Sequence, residues 1–269
     1  MDLGFADAVV VVNGGTKGMG RAAAETVAAE GAKVALLARG EQGLNDTAAR
    51  LTELGAPDVL PIPTDLNSRT DIDAAFATIG ERWGVVNTLV NAVGPIDVGI
   101  GPLESIDDDN WHATFDIGTL SAVKCVEAAL PLLRKAEWAR IVNVSAHSVR
   151  RQSPTLIAYT AAKAALTSVS KNLAQTLAPE GILVNTVSPG SFLSQGLRDY
   201  LSRLPDDRRP DLDDLYAVMD AIDAEFGHPA FIRRAGLPSE IGPVIAFAGS
   251  RTNTYMTGAD LNVDGGSDF

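Results

Sequence analysis

The chain has 269 residues, 46% of them hydrophobic, and a formal net charge of −12. That is enough apolar material for one large core, and the acidic balance argues against nucleic acid or an anionic membrane as partner. No run approaches the ~18 apolar residues of a membrane span, no basic segment precedes the first apolar run, and a single cysteine excludes an intrachain disulfide, so the expectation is a soluble protein of the reducing cytoplasm.

Short aliphatic runs recur along the chain at 8–12, 33–37, 59–62, 88–91, 140–145, 182–188 and 260–263. Segments with helical spacing separate them, such as MGRAAAETVAAEGA and QGLNDTAARLTELGA. Strands alternating with helices of this length predict right-handed crossovers and a parallel sheet. The runs are apolar throughout rather than alternating, as when helices cover both sheet faces. The expectation is one α/β domain over residues 1–269: a doubly wound, Rossmann-type parallel sheet of about seven strands flanked by helices. Cys125 lies in an apolar helical run and reads as a small core residue, and no metal-ligand set is read.

One segment breaks the rhythm. Residues 191–238 carry no strand signal, and Leu212, Leu215, Met219, Ile222 and Phe226 fall at helical spacing. Such an insertion reads either as a surface helix packed on the core or as a lid over a binding cleft.

The first strand runs into a glycine-rich turn, with Gly14, Gly18 and Gly20 at the mouth of a helix. Glycine lets the chain turn sharply and lets a phosphate approach free N–H groups, where the helix dipole is positive. At the first strand-to-helix junction of a doubly wound sheet this points to a dinucleotide. The second strand ends in Ala38 and Arg39, with Lys17 in the glycine turn and no acid to hold a 2′-hydroxyl. That pattern favours NADP(H) over NAD(H). Asp65 is placed either to accept from the adenine amino group or to cap the helix beginning near Ser68.

Tyr159 and Lys163 stand four residues apart and share one helix face. A phenol of pKa ~10 is a poor acid or base at neutral pH. A neighbouring ammonium, and the cation of an oxidised nicotinamide, would lower that pKa and make Tyr159 a general acid–base.

Together these pieces resemble the short-chain dehydrogenase/reductase family over essentially the whole chain. The matching motifs are NGGTKGMG at 13–20, Asp65–Leu66, NAVG at 91–94, Tyr159 with Lys163, Pro189–Gly190 and MTGADLNVDGG at 256–266. The resemblance implies hydride exchange between a nicotinamide cofactor and an alcohol or carbonyl. It implies cofactor contacts from Gly14, Thr16, Lys17, Gly18, Met19, Gly20, Arg39, Asp65, Leu66, Asn91, Gly94, Tyr159, Lys163, Pro189 and Gly190. It also implies a homotetramer or homodimer built on helices spanning 105–134 and 154–177.

Two positions depart from the family pattern. Where a catalytic serine is expected, thirteen residues before the tyrosine, the chain has Ala146; where an asparagine is expected, it has Gly118. Losing one donor to the substrate oxygen costs about 10²–10³ in rate and leaves the rest of the chemistry intact. Ser148 is the candidate replacement, and Ser145 should face the opposite way. His147 is a further donor or a loop side chain, and Arg150 and Arg151 either meet an anionic substrate or are solvated. Ala146, Ser148 and Phe192 are assigned to the substrate pocket; Phe192, like Tyr216, reads equally as core. The leading expectation is an NADP(H)-dependent oxidoreductase acting on a small-to-medium apolar metabolite. The rival is a nucleotide-binding sensor or scaffold with weakened catalysis.

Overall fold

The computed structural model describes residues 2–95 and 98–267. Seven parallel strands form one sheet: β1 (Val9–Asn13), β2 (Lys33–Ala38), β3 (Val59–Pro63), β4 (Thr88–Asn91), β5 (Ala139–Val144), β6 (Ile182–Pro189) and β7 (Asp260–Val263). Their spatial order is β3-β2-β1-β4-β5-β6-β7. All seven match the aliphatic runs, and the doubly wound expectation holds.

Alternate residues of each strand serve opposite layers. Val10 and Val12 pack with α1 (Gly18–Ala29), α2 (Glu41–Leu54) and α9 (Pro238–Ala248), through Val27, Leu44, Leu51, Ile241 and Ile245. Val9 and Val11 face the other layer, α3 (Arg69–Trp83), α5 (Ser121–Leu133) and α6 (Ile157–Leu177), through Ile72, Ile79, Val126, Leu133 and Ala174. Both sides of the pleat are therefore covered, which is why the strands lack a polar alternation. Cys125 belongs to the second layer, and burial pushes its thiol up to about 12.

The strand order reverses between β1 and β4, so a crevice opens at their carboxyl ends. There the pairing brings three asparagines into line: Asn13 opposite Asn91, and Asn91 opposite Asn143. Their amides form a buried chain, Asn13 Nδ2 to Asn91 Oδ1 at 2.6 Å, Asn91 Nδ2 to Asn143 Oδ1 at 2.8 Å and Asn143 Nδ2 to Ser170 Oγ at 2.8 Å. Buried amides need such partners, and this chain ties three strand ends to α6.

The helix expected over 105–134 is interrupted. α4 (Asp108–Phe115) passes through a π turn at Asp116–Leu120 before α5 begins. Between β6 and α9, α7 (Gln195–Ser202) and α8 (Leu215–Phe226) enclose a small core of Leu193, Leu201, Val218, Met219 and Ile222. The ends of this segment are zipped together, Leu193 N–H to Gly236 O at 2.8 Å and Gly236 N–H to Ser191 O at 2.9 Å. Among the described residues no helix is long and apolar enough to cross a membrane.

Candidate active site

The glycine turn is built as a cradle. Gly14 and Gly18 have φ of 74° and 53°, the region where only glycine sits without strain. A Cβ at Gly14 would fall 2.8 Å from Val93 Cγ2, and one at Gly20 would run into the carbonyl oxygen of Gly14. Helix α1 starts without a side-chain cap and without an acid in its first turn, leaving N–H groups and the positive end of the dipole for an anion. Among the described residues Lys17 and Arg39 take part in no ion pair, unlike Arg21, Arg50, Arg69 and Arg82, and both are exposed. A cleft of about 770 Å³ flanks the turn, lined by Lys17, Gly18, Arg21, Gln195 and Arg198; it does not include Tyr159. These residues fit a dinucleotide phosphate.

Asp65 is exposed, and its carboxylate accepts from Asn67 N–H at 3.0 Å. The helix-cap alternative is corrected: Ser68 caps α3 by accepting from Asp71 N–H.

Tyr159 and Lys163 project from the first turns of α6 as expected. Tyr159 is half-buried, and burial pushes its phenol up to about 12. Lys163 is buried, its Nζ donating to the carbonyls of Val93 at 3.0 Å and Val144 at 2.8 Å, and burial lowers it to about 8. The expected lowering of the tyrosine by the adjacent ammonium is not found in the protein alone. Burial dominates the phenol, and the ammonium is held by the loop after β4 and by the end of β5. Gly94 lies against the lysine stem, a Cβ there meeting Cε at 3.4 Å.

The loop after β5 holds Ala146, where the resemblance leads one to expect a serine. Ala146 is buried in extended backbone, φ −161° and ψ 145°, and opens a 3-10 turn at His147–Val149. Ser145 points into α6, its Oγ donating to Lys163 O at 3.1 Å and lying 2.7 Å from Thr167 Oγ1, as strand alternation required. Ser148 is buried and its Oγ accepts from Thr160 Oγ1 at 3.2 Å; the same oxygen keeps a proton to donate. That bond links it to the residue beside Tyr159 rather than to Tyr159.

Other expectations are corrected. His147 is not in solvent: it is buried, its Nδ1 lies 3.1 Å from Pro189 O, and burial lowers it to about 4. Arg150 pairs with Asp260 of β7 at 3.3 Å and Arg151 donates to Ser267 O beyond that strand at 2.9 Å, so both tie the loop to the C-terminal segment. Phe192 is buried with the main core and presses on Gly236, where a Cβ would meet its ring at 2.6 Å, which favours the core alternative for it. Tyr216 is 59% exposed. Gly190 packs on Asp264, with no room for a side chain.

Three features escaped the sequence reading. Ser194 caps α7 and faces Gly18 across the turn, a pairing signalled only by its distance after Pro189–Gly190. His228 meets His147, and Asn143 completes the amide chain; both depend on contacts between segments far apart in sequence.

The sequence profile of short chain dehydrogenases matches residues 8–203. The short-chain reductase protein NovJ of Streptomyces niveus is 29% identical over 260 residues, covering 97% of this chain and 94% of that protein. The rhamnolipids biosynthesis 3-oxoacyl-(acyl-carrier-protein) reductase of Pseudomonas aeruginosa is 30% identical, covering 97% and 96%. The crystal structure of L-sorbose reductase from Gluconobacter frateurii, complexed with NADPH and L-sorbose, superposes with a TM-score of 0.91 at 28% identity, covering 100% of this chain and 99% of that one.

Proposed function

The chain belongs to the short-chain dehydrogenase family, is an oxidoreductase with a nicotinamide-binding Rossmann fold, and on its site geometry we propose that it is an NADP(H)-dependent enzyme interconverting a carbonyl and an alcohol. The observation that carries this reading is half-buried Tyr159 paired on one helix face with buried Lys163, beside a glycine turn that opens the uncapped helix α1 and is flanked by the exposed cations Lys17 and Arg39.

Lys17 and Arg39 would hold a 2′-phosphate, and Gly14, Thr16, Gly18, Met19 and Gly20 the diphosphate. Asp65, Leu66, Asn91, Gly94, Pro189 and Gly190 would line the rest of the cofactor. The bound nicotinamide supplies or takes the hydride. Tyr159 keeps its proton to high pH because its surroundings disfavour phenolate, so it serves as the acid when a carbonyl is reduced. Lys163 keeps a positive charge behind it at neutral pH. With Ala146 unable to donate, Ser148 is the proposed hydroxyl toward the substrate oxygen. The segment 191–238 acts as a lid, consistent with its zipped ends and its own small core.

The substrate is proposed to be a small-to-medium metabolite, largely apolar at the pocket wall supplied by Ala146. A cytoplasmic homotetramer or homodimer, assembled through α4–α5 and α6, completes the proposal. The test is NADPH consumption against a panel of ketones, diketones, quinones and keto-sugars, with Tyr159→Phe beside the wild type and cofactor binding measured in both. Turnover that disappears in Tyr159→Phe while NADPH still binds is the expected result. Tight binding without turnover on any member of the panel would favour a sensor or scaffold.

A further inference from the structure

Two of the chain's three histidines meet in the interior. His147 follows Ala146 in the loop after β5; His228 follows Gly227, the left-handed cap of α8. Their ring centroids are 4.7 Å apart with the planes at 75°, an edge-to-face contact. Both residues are buried, at 6% and 2% exposure. The contact therefore bridges the proposed lid and the catalytic loop, and α8 also packs on the 154–156 turn leading into α6.

The hydrogen bonding fixes one tautomer. The Pro189 carbonyl only accepts, so Nδ1 of His147 carries the proton and its Nε2 presents a lone pair. Among the described residues, neither Nε2 of His147 nor Nε2 of His228, both buried, has a hydrogen-bond partner. Neutral rings can rest there in an aromatic contact. A charged ring cannot stay without a partner, because a buried unpaired charge is costly.

We propose that His147 and His228 form a neutral imidazole latch through which the 191–238 segment holds the catalytic loop against the Pro189 end of β6, closed while both rings are unprotonated and released when either gains a proton. They are positioning residues, acting on the loop and lid rather than on reacting atoms. The proposal rests on the reading of 191–238 as a lid over the cleft.

The surrounding charges agree with this. For His147, burial and then the charge of His228 oppose protonation, as does Arg151, while the Pro189 carbonyl and Asp264 favour it; the balance is about 4. For His228, burial again leads, with Arg151 also opposing; the carbonyls of Gln152 and Arg151, and Asp223 of α8, favour protonation without overcoming it. The closed state thus binds protons less readily than an open one in which the rings meet water. Closure is complete above the ordinary imidazole value of ~6.5 and is lost as pH falls from there toward that of the closed state.

The test is hydrogen–deuterium exchange of the full chain, corrected for the intrinsic pH dependence of exchange, at pH 7 and pH 5. Protection over 191–236 should fall on the order of tenfold at pH 5, while β1 and β2 stay unchanged. The variant His147→Asn/His228→Phe keeps a donor for Pro189 and an aromatic ring but cannot titrate, and its lid protection should be flat across that range. A flat profile in the wild type, or an equal fall in the variant, overturns the latch. Should the variant not fold, an NMR titration of the native imidazoles decides: both rings taking up protons near 6.5 overturns it, and both protonating well below supports it. Neither readout needs turnover, so failure of the oxidoreductase reading and failure of the latch are told apart.

Discussion

A Cβ on Gly118 would sit 2.9 Å from the Cβ of Ala162, one residue before Lys163 on α6. The π turn that carries Gly118 is pinned to the same spot, Thr119 Oγ1 donating to Ala162 O at 2.6 Å. The absence of a side chain at position 118, where the resemblance leads one to expect an asparagine, is therefore built into the packing: the helix bearing Tyr159 and Lys163 occupies the space a side chain would fill.

Restoring that asparagine alone should harm the protein. Gly118→Asn overpacks the contact and is expected to destabilise by about 1–3 kcal/mol, read as a lower Tm, with activity falling as α6 is displaced. Adding Ala162→Gly removes the opposing methyl and should recover most of the lost Tm. Equal Tm for Gly118→Asn and wild type would show that the helices separate freely.

Position 146 behaves differently. Ala146 has ordinary extended backbone, which serine also adopts. Ala146→Ser should supply the missing donor and raise kcat/KM for carbonyl reduction by about tenfold or more. Ser148→Ala should lower it in the wild-type background and have little effect when combined with Ala146→Ser. If Ser148→Ala leaves kcat/KM unchanged in both backgrounds, the proposed replacement is wrong.

The contrast between these two positions shows what the sequence could reveal. Strands β1 to β7 were legible because each is a short aliphatic run, with the inner strands buried on both faces and only the edge strands β3 and β7 partly exposed. Tyr159, Lys163 and the glycine turn were legible because their chemistry lies in local spacing. That Gly118 is sterically locked was not, since it depends on Ala162, 44 residues away in the chain and adjacent only in the fold. The same holds for His147, which reads as a loop residue until His228 closes over it, and for Phe192, whose core role is set by Gly236. Arg150 and Arg151 looked free for a substrate because their partners lie at the far end of the chain.

Cofactor choice should follow the two exposed cations. Arg39→Asp offers a ribose hydroxyl an acceptor and a 2′-phosphate a like charge, so NADPH should bind at least tenfold more weakly and NADH more tightly, by the energy of one charge-assisted contact. Lys17→Ala should weaken NADPH alone. Fluorescence titration with each cofactor measures both, and the NADPH affinity of the wild type should decline with salt more steeply than its NADH affinity. Identical NADPH affinity in Arg39→Asp and wild type would remove Arg39 from the site.

The buried lysine sets an upper pH limit. Lys163 titrates at about 8 in the folded protein against an ordinary 10.5, the shift caused by burial. Its charge is thus lost above pH 8 in the native state, and kcat/KM for reduction should fall about tenfold per pH unit beyond it. Stability moves the other way. Between those two values the unfolded chain holds more protons than the folded one, so rising pH favours folding at this site. Lys163→Met should abolish turnover, and it strips the donor from the carbonyls of Val93 and Val144, a cost that does not vary with pH. The variant also escapes the penalty of a buried ammonium, which the wild type bears only while the lysine is charged. The Tm of Lys163→Met relative to wild type should therefore drop as pH is raised from 7 toward 9.5, with the tyrosine contributing equally to both proteins. A Tm difference that stays constant over this interval would mean that Lys163 remains fully charged in the fold, and the alkaline limit on activity would then have to arise elsewhere.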